Sequence, residues 1–376
     1  MSDDLESRVT ALEATARDHE TRLEKLEGTY TPPTPIPQPP PEPTGKSKLG
    51  IHITTMAGAP SPYDAATFIQ AKPSCIKFAG EWGVSADPHL VDTFIVGRKI
   101  CDEDAQYFRQ RWPDPTVAAN QLVHGKFAQY ETCYRFNPAI KHWEGHNEPV
   151  WTDDAGMSWY AQFEIARMKL MDSLGLKCVI GNFSTGVPYI ESNRSPNWKP
   201  FLPACEYALQ HGHVLGVHEY TGAWMWWLTG DFGGMYTSDG RVAGYLTLRY
   251  RATYERFLVP AGLGKLPLVI TECGLDPAID DLPDTNPPCP GGAWRNLAGW
   301  WAKTTGERRP SGVAAFTSAP QFYAEQLKWY DRELRRDNFV IGATIFNAGN
   351  NWPAWDICGK DGCINTLSDY VQSRGE

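Results

Sequence analysis

From residue 49 onward, apolar runs recur along the chain, and stretches with helical spacing separate most of them. Strand-like runs lie at residues 49–54, 74–78, 93–96, 141–146, 176–182, 214–220, 266–271 and 339–346. Residues 117–134, 157–174, 201–211, 245–259 and 321–335 read as helices; in the second, Trp159, Phe163, Ala166 and Leu170 repeat at helical spacing. Strands alternating with helices predict a parallel sheet joined by crossovers. Eight such strands fit a closed (β/α)8 TIM barrel, an α/β fold that absorbs about 250 residues or more as one unit. An open doubly wound sheet is the competing architecture. It loses ground because HITTMAGAP, at the first strand, carries no glycine-rich phosphate loop. The third unit is irregular, with GRKICDEDAQYFRQRWPDP ahead of the next helix, and residues 273–320 form a long connection with a short helix expected near 293–302. Connections of that length suit a lid or a site wall.

Two segments precede the barrel. In residues 3–27, Leu5, Val9, Leu12, Ala16, His19, Leu23 and Leu26 alternate spacings of four and three, a heptad seam with one polar member. Residues 8–13 and 22–27 resemble a motif of short parallel trimeric coiled coils, and similar coils occur in phage tail and fibre proteins. The block, residues 1–27, is therefore expected to be an oligomerisation helix, with a homotrimer favoured. A lone amphipathic helix packed on the main domain is the alternative. Residues 28–46 hold eight prolines and no hydrophobic periodicity, which favours an extended, semi-rigid spacer. The catalytic-type domain is expected over residues 47–376.

Composition narrows the classes of partner. The 376 residues are 42% hydrophobic, enough for a large core, and the net charge is −9 with no basic run. That argues against a nucleic-acid partner and suits a neutral ligand. No stretch reaches the roughly 18 apolar residues of a membrane span. The N-terminus is acidic and lacks a signal-type apolar region, so the route to any extracellular or phage-particle location stays open. The nine cysteines are spread thinly, without a zinc pattern. Cys75, Cys178 and Cys273 sit in or beside apolar runs and read as buried thiols, while Cys358 and Cys363 are close enough in sequence to close a small disulfide. Asp276, Asp280, Asp281 and Asp284 lack EF-hand spacing and read as a solvated face. Asp153 and Asp154 read as caps of the following helix at Gly156. No metal or cofactor is expected.

Two acids stand where packing does not need them. KHWEGHNEPVW places Asn147 and Glu148 at the end of the fourth strand, and LPLVITECG places Glu272 at the end of the seventh. In a barrel the C-terminal strand ends carry the chemistry, and these two strands face each other across the mouth. A pair of carboxyls there is the equipment for cleaving a glycosidic bond. A strand-end salt bridge or a helix cap is the plainer account of either acid alone.

With GVHEYTG at the sixth strand, these motifs make the chain from residue 49 resemble the retaining glycoside hydrolases with an eight-stranded barrel, known as clan A. The resemblance covers about 330 residues in pattern and a handful in motif. It implies Glu148 as general acid/base, its pKa raised, and Glu272 as nucleophile. It implies Asn147 at the sugar 2-hydroxyl, His218 lining the sugar site and Tyr220 hydrogen-bonded to the nucleophile. The aromatic residue that the clan carries on strand 8, under the sugar, would be Trp352 or Trp355, though neither follows the strand directly. Where many members have an arginine on strand 2, this chain offers Lys77, or Glu81 and Trp82 just beyond. Trp224, Trp226, Trp227 and Tyr236 crowd the loop after strand 6, where they would form a subsite wall including Trp224 and Trp227, or a mini-core pinning the loop. The expected activity is cleavage of a poly- or oligosaccharide through a covalent glycosyl-enzyme. A glycan-binding module and a virion or cell-surface structural protein on the same barrel are the alternatives.

Overall fold

A computed structural model describes residues 42–54, 63–80, 83–100, 104–125, 130–276, 282–304, 308–349 and 351–375. The heptad block, most of the proline-rich segment, Glu81, Trp82, Asp280 and Asp281 lie outside these residues. The chain divides into two units, Met1–Glu42 and Pro43–Glu376, and the barrel belongs to the second.

Eight parallel strands close into a barrel with helices between them, the TIM-barrel architecture. They are β1 (Leu49–Ile53), β2 (Cys75–Ala79), β3 (Phe94–Arg98), β4 (His142–Glu144), β5 (Lys177–Phe183), β6 (Val214–Thr221), β7 (Leu268–Leu275) and β8 (Val340–Ala348). Each pairs with its neighbours in sequence, and β8 closes on β1.

The barrel interior is filled in two different ways. Towards the strand starts Val96, Val179, Val214 and Val269 pack together, flanked by Phe94 and Ile341. Branched apolar side chains fill that space without any polar atom to satisfy. Towards the strand ends the buried side chains are His52, Lys77, Glu144, His218 and Glu272. Strand register sets them at one level: His52 pairs with Lys77 and Phe346, and His218 with Glu272. Gly97 on β3 pairs with Trp143 on β4, and a Cβ there would stand 2.6 Å from the indole, so only glycine lets the ring pack there.

Ten α-helices are present among the described residues, and those nearest the site fix its strands. The first, α1 (Tyr63–Gln70), lies between β1 and β2, whereas α2 (Ala105–Arg111), α3 (Pro115–Val123) and α4 (Tyr130–Phe136) all lie between β3 and β4. The single helix expected at 117–134 is thus two, α3 ending near Gly125. Next, α5 (Asp154–Ser173) starts on Asp153, whose carboxylate accepts the Gly156 N–H at 2.6 Å. From α5, the fully buried Arg167 pairs with Glu164 and donates to the Trp143 carbonyl at 3.1 Å and the Val179 carbonyl at 2.9 Å. That fastens β4 and β5, the strands beneath Glu148, to one helix.

After α6 (Leu202–His211) and β6, α7 (Arg249–Thr253) begins four residues later than its spacing suggests. Buried Glu219 of β6 is the reason: it accepts the Leu248 N–H at 2.8 Å and the Tyr250 N–H at 3.0 Å, so the preceding residues are held as loop. The long connection after β7 contains α8 (Trp294–Thr304), near its expected place, followed by α9 (Ala319–Leu334); α10 (Ile364–Ser373) comes after β8. Cys358 and Cys363 are both buried and no disulfide joins them, so the short spacing between them is not bridged.

Candidate active site

The two acids stand at the C-terminal mouth, held by different means. Glu272 lies inside β7, which runs past it to Leu275, so its backbone is fixed on both sides by strand pairing. Glu148 follows the short β4 in a turn. It occupies the left-handed backbone region at φ +44°, and its N–H is held by the Asn182 carbonyl of β5 at 3.0 Å. A non-glycine residue persists there only when its surroundings enforce it, as at many functional sites. The side chains converge: an oxygen of Glu148, a ring nitrogen of His218 and an oxygen of Glu272 all lie within 4.8 Å of one another.

The groups in direct contact with the Glu272 carboxyl include three donors. Lys77 Nζ stands 3.0 Å and Arg98 Nη1 2.9 Å from Oε1, and Tyr220 donates to Oε2 at 2.8 Å. His52 and His218 lie 3.6 Å away. Burial is the strongest influence and opposes ionisation. The charges at His218, Lys77, His52 and Arg98 outweigh it and hold the carboxyl well below the usual carboxylate range. Burial and the Lys77 charge keep His52 itself well below the ordinary histidine range.

Glu148 departs from the raised pKa that an acid catalyst suggests. Burial pushes its carboxyl up, as does the Glu272 charge, but His218 Nδ1 at 2.7 Å more than offsets both and holds the group below its ordinary value. Asn147 is exposed beside it and accepts a hydrogen bond from Arg98 Nη1 at 2.6 Å.

Two participants escaped the reading of the sequence. Arg98 closes β3, which extends two residues beyond its expected end, so an arginine assigned to an irregular insertion reaches both Asn147 and Glu272. Glu144 of β4 is fully buried and pairs with Lys77 Nζ at 2.9 Å, making Lys77 a bridge between two carboxylates. A glutamate three residues into an apolar strand was the available signal.

The aromatic residues sort differently from one another. Trp224 is 8% exposed, parallel to the buried Trp226 and 4.8 Å from the Trp300 ring, and Trp301 Nε1 donates to the Ala223 carbonyl. This is the mini-core that pins the loop after β6; Trp227 is half-buried at its side. On β8 the residue at the site is Phe346, whose ring lies 5.3 Å from His52, 6.2 Å from Tyr220 and 5.2 Å from Trp352. Trp352, 37% exposed, extends that aromatic surface outward. Neither Trp352 nor Trp355 holds the strand position itself.

Glu148, His218 and Glu272 have the donor types of a metal site. Lys77 and Arg98 already occupy Glu272 Oε1, however, and a metal cation there would stand against two fixed positive charges. The arrangement suits proton transfer and nucleophilic attack better. Among the described residues no helix is long and apolar enough to cross a membrane.

No family model matches the sequence, and no curated protein matches it. Among solved structures, the apo β-glucuronidase from Ruminococcus gnavus is similar at 13% identity and TM-score 0.47, over 89% of this chain and 50% of that one. The same enzyme in complex with D-glucuronic acid is similar at 12% identity and TM-score 0.47, over 89% and 49%. The chain thus spans about half the length of these structures. At that identity and score they add nothing to the closed strand order and the geometry of the site.

Proposed function

We propose that this chain is a retaining O-glycoside hydrolase acting on a poly- or oligosaccharide, with Glu148 as general acid/base and Glu272 as nucleophile. The observation that carries the reading is the approach of the two carboxyls, oxygen to oxygen within 4.8 Å, at facing strand ends. Retaining enzymes keep their carboxyls about 5 to 5.5 Å apart, and inverting ones about 6.5 to 9.5 Å to admit a water.

In the first step, Glu148 gives its proton to the glycosidic oxygen as the bond to the anomeric carbon breaks. The Glu272 carboxylate attacks that carbon and becomes an ester. Burial excludes water while Lys77, Arg98 and Tyr220 keep the carboxylate ionised and aimed. In the second step, Glu148 takes a proton from water, whose oxygen displaces Glu272. The charge on Glu272 raises the proton affinity of Glu148. Ester formation removes that charge and favours the carboxylate form that the second step requires. Asn147 would meet the sugar 2-hydroxyl, and Phe346 with Trp352 would offer a ring face to stack on.

The heptad of residues 3–27 would gather several barrels on one polymer and raise their effective concentration; sedimentation showing a monomer would remove that part of the proposal. For the chemistry, the test is reducing-end release from a panel of glycans by wild type, Glu148→Gln and Glu272→Gln, with the first-formed anomer read by NMR. Release with retained configuration, lost in both variants, is expected. Inversion, or release that survives Glu272→Gln, would overturn the proposal. Binding without turnover, unchanged by Glu272→Gln, would favour a glycan-binding module.

A further inference from the structure

Next to Glu148 lies a groove that the two-carboxylate chemistry leaves without a role. One wall is Gln106, Arg109 and Gln110 of α2; the other is Val150, Trp151 and Thr152, beginning two residues after Glu148. Its volume is about 380 Å³, within the range of small-ligand pockets. Both walls belong to connections that leave strand C-terminal ends, so the groove opens on the face that carries the glutamates. Adjacent Cα atoms are 3.8 Å apart, which places Val150 within about one sugar ring of Glu148. A hydrogen bond from Gln106 Nε2 to the Val150 carbonyl joins the walls.

The groove's chemistry is selective. The chain carries 44 acidic and 35 basic residues, yet none of the lining residues is acidic. Arg109 is half-buried over the Trp151 ring at 5.9 Å, and among the described residues it has no carboxylate within ion-pair distance. The Trp151 indole N–H is buried and makes no hydrogen bond among the described residues. A half-buried arginine that makes no ion pair among the described residues, lying over a tryptophan ring in a groove with no acidic lining residue, is a recognition surface for an oxyanion.

We propose that this groove is a leaving-group subsite for a sugar bearing a carboxylate or sulfate, with Arg109 as the residue that recognises the anion. The side follows from the chemistry, because the residue that protonates the leaving oxygen adjoins the group that departs. The inference rests on Glu148 acting as that acid.

Two measurements separate the inference from its premise. The first compares kcat/KM on an oligosaccharide with a uronate on the leaving side against its methyl ester and its sulfated analogue, for wild type, Arg109→Lys and Arg109→Gln. Loss of a charge-assisted hydrogen bond predicts that the acid-to-ester ratio falls about tenfold to a hundredfold in Arg109→Gln, with partial retention in Arg109→Lys. The acid and sulfate arms show which anion fits. The second is calorimetric binding of oligogalacturonide and its methyl ester to Glu148→Gln, with and without Arg109→Gln, which needs no turnover. Acid-selective binding that depends on Arg109 supports anion recognition in the groove even if no panel glycan is cleaved, in which case the leaving-side assignment falls with the catalytic reading. Equal handling of acid and ester, or an acid preference that survives Arg109→Gln, overturns the inference while leaving catalysis standing.

Discussion

His218 Nδ1 lies 2.7 Å from Glu148 Oε1 and 3.6 Å from Glu272 Oε2, so one imidazole edge serves both carboxyls. The contact with His218 holds the Glu148 carboxyl below its ordinary value against burial and the Glu272 charge.

Replacing His218 by Gln removes the contact that lowers Glu148 and the foremost charge that lowers Glu272. Burial and mutual repulsion then meet less opposition, and both carboxyls bind protons more tightly. Both limbs of the kcat/KM profile should move to higher pH, measured on a substrate cleaved by wild type. A fall in rate with an unmoved profile would mean that His218 only shapes the pocket.

Lys77 offsets two buried carboxylates, Glu144 and Glu272. Lys77→Met leaves both without it and should cost about 3 to 5 kcal/mol of stability in urea unfolding. Adding Glu144→Gln should recover part of that loss. Additive costs would deny the coupling.

Trp224 and Trp352 should respond in opposite ways. Trp224→Ala empties the mini-core of the loop after β6 and should cost about 3 to 5 kcal/mol. Trp352→Ala, at an exposed position, should change stability by less than about 0.5 kcal/mol and raise KM. Thermal unfolding and steady-state kinetics on the two variants separate the roles.

Glu219 introduces a pH dependence of stability. Burial pushes its carboxyl up to about 7, against the hydrogen bonds from Tyr330, Tyr250 and Leu248. Between its unfolded value near 4.5 and about 7 the folded protein holds the extra proton. This contribution is therefore complete at low pH and is lost as pH rises through about 7. Relative to Glu219→Gln, wild type should lose about 2 to 3 kcal/mol between pH 5 and pH 8. A constant difference in denaturation midpoints would place the proton elsewhere.

The eight strands and the two glutamates were legible because both follow from local pattern. Apolar runs mark buried strands, and an acid at the end of such a run stands out against them. The strand ends were less legible, and Arg98 was lost with them: whether β3 stops at Val96 or Arg98 depends on pairing with β2, where Ala79 meets Arg98.

The order of the chain was enough to imply a parallel barrel and the placement of Glu148 and Glu272 on its rim, since period and punctuation are properties of neighbouring residues. Folding settled which charges surround them. Lys77, Glu144, Arg98 and His218 come from four different strands, and no spacing along the chain records that they meet. It also settled that Trp224 packs into the protein while Phe346 lies beside His52 and Tyr220, with the exposed Trp352 against it. An aromatic side chain is equally at home in a core or against a sugar, and only the packing of α8 and α9 against the loop chooses between them.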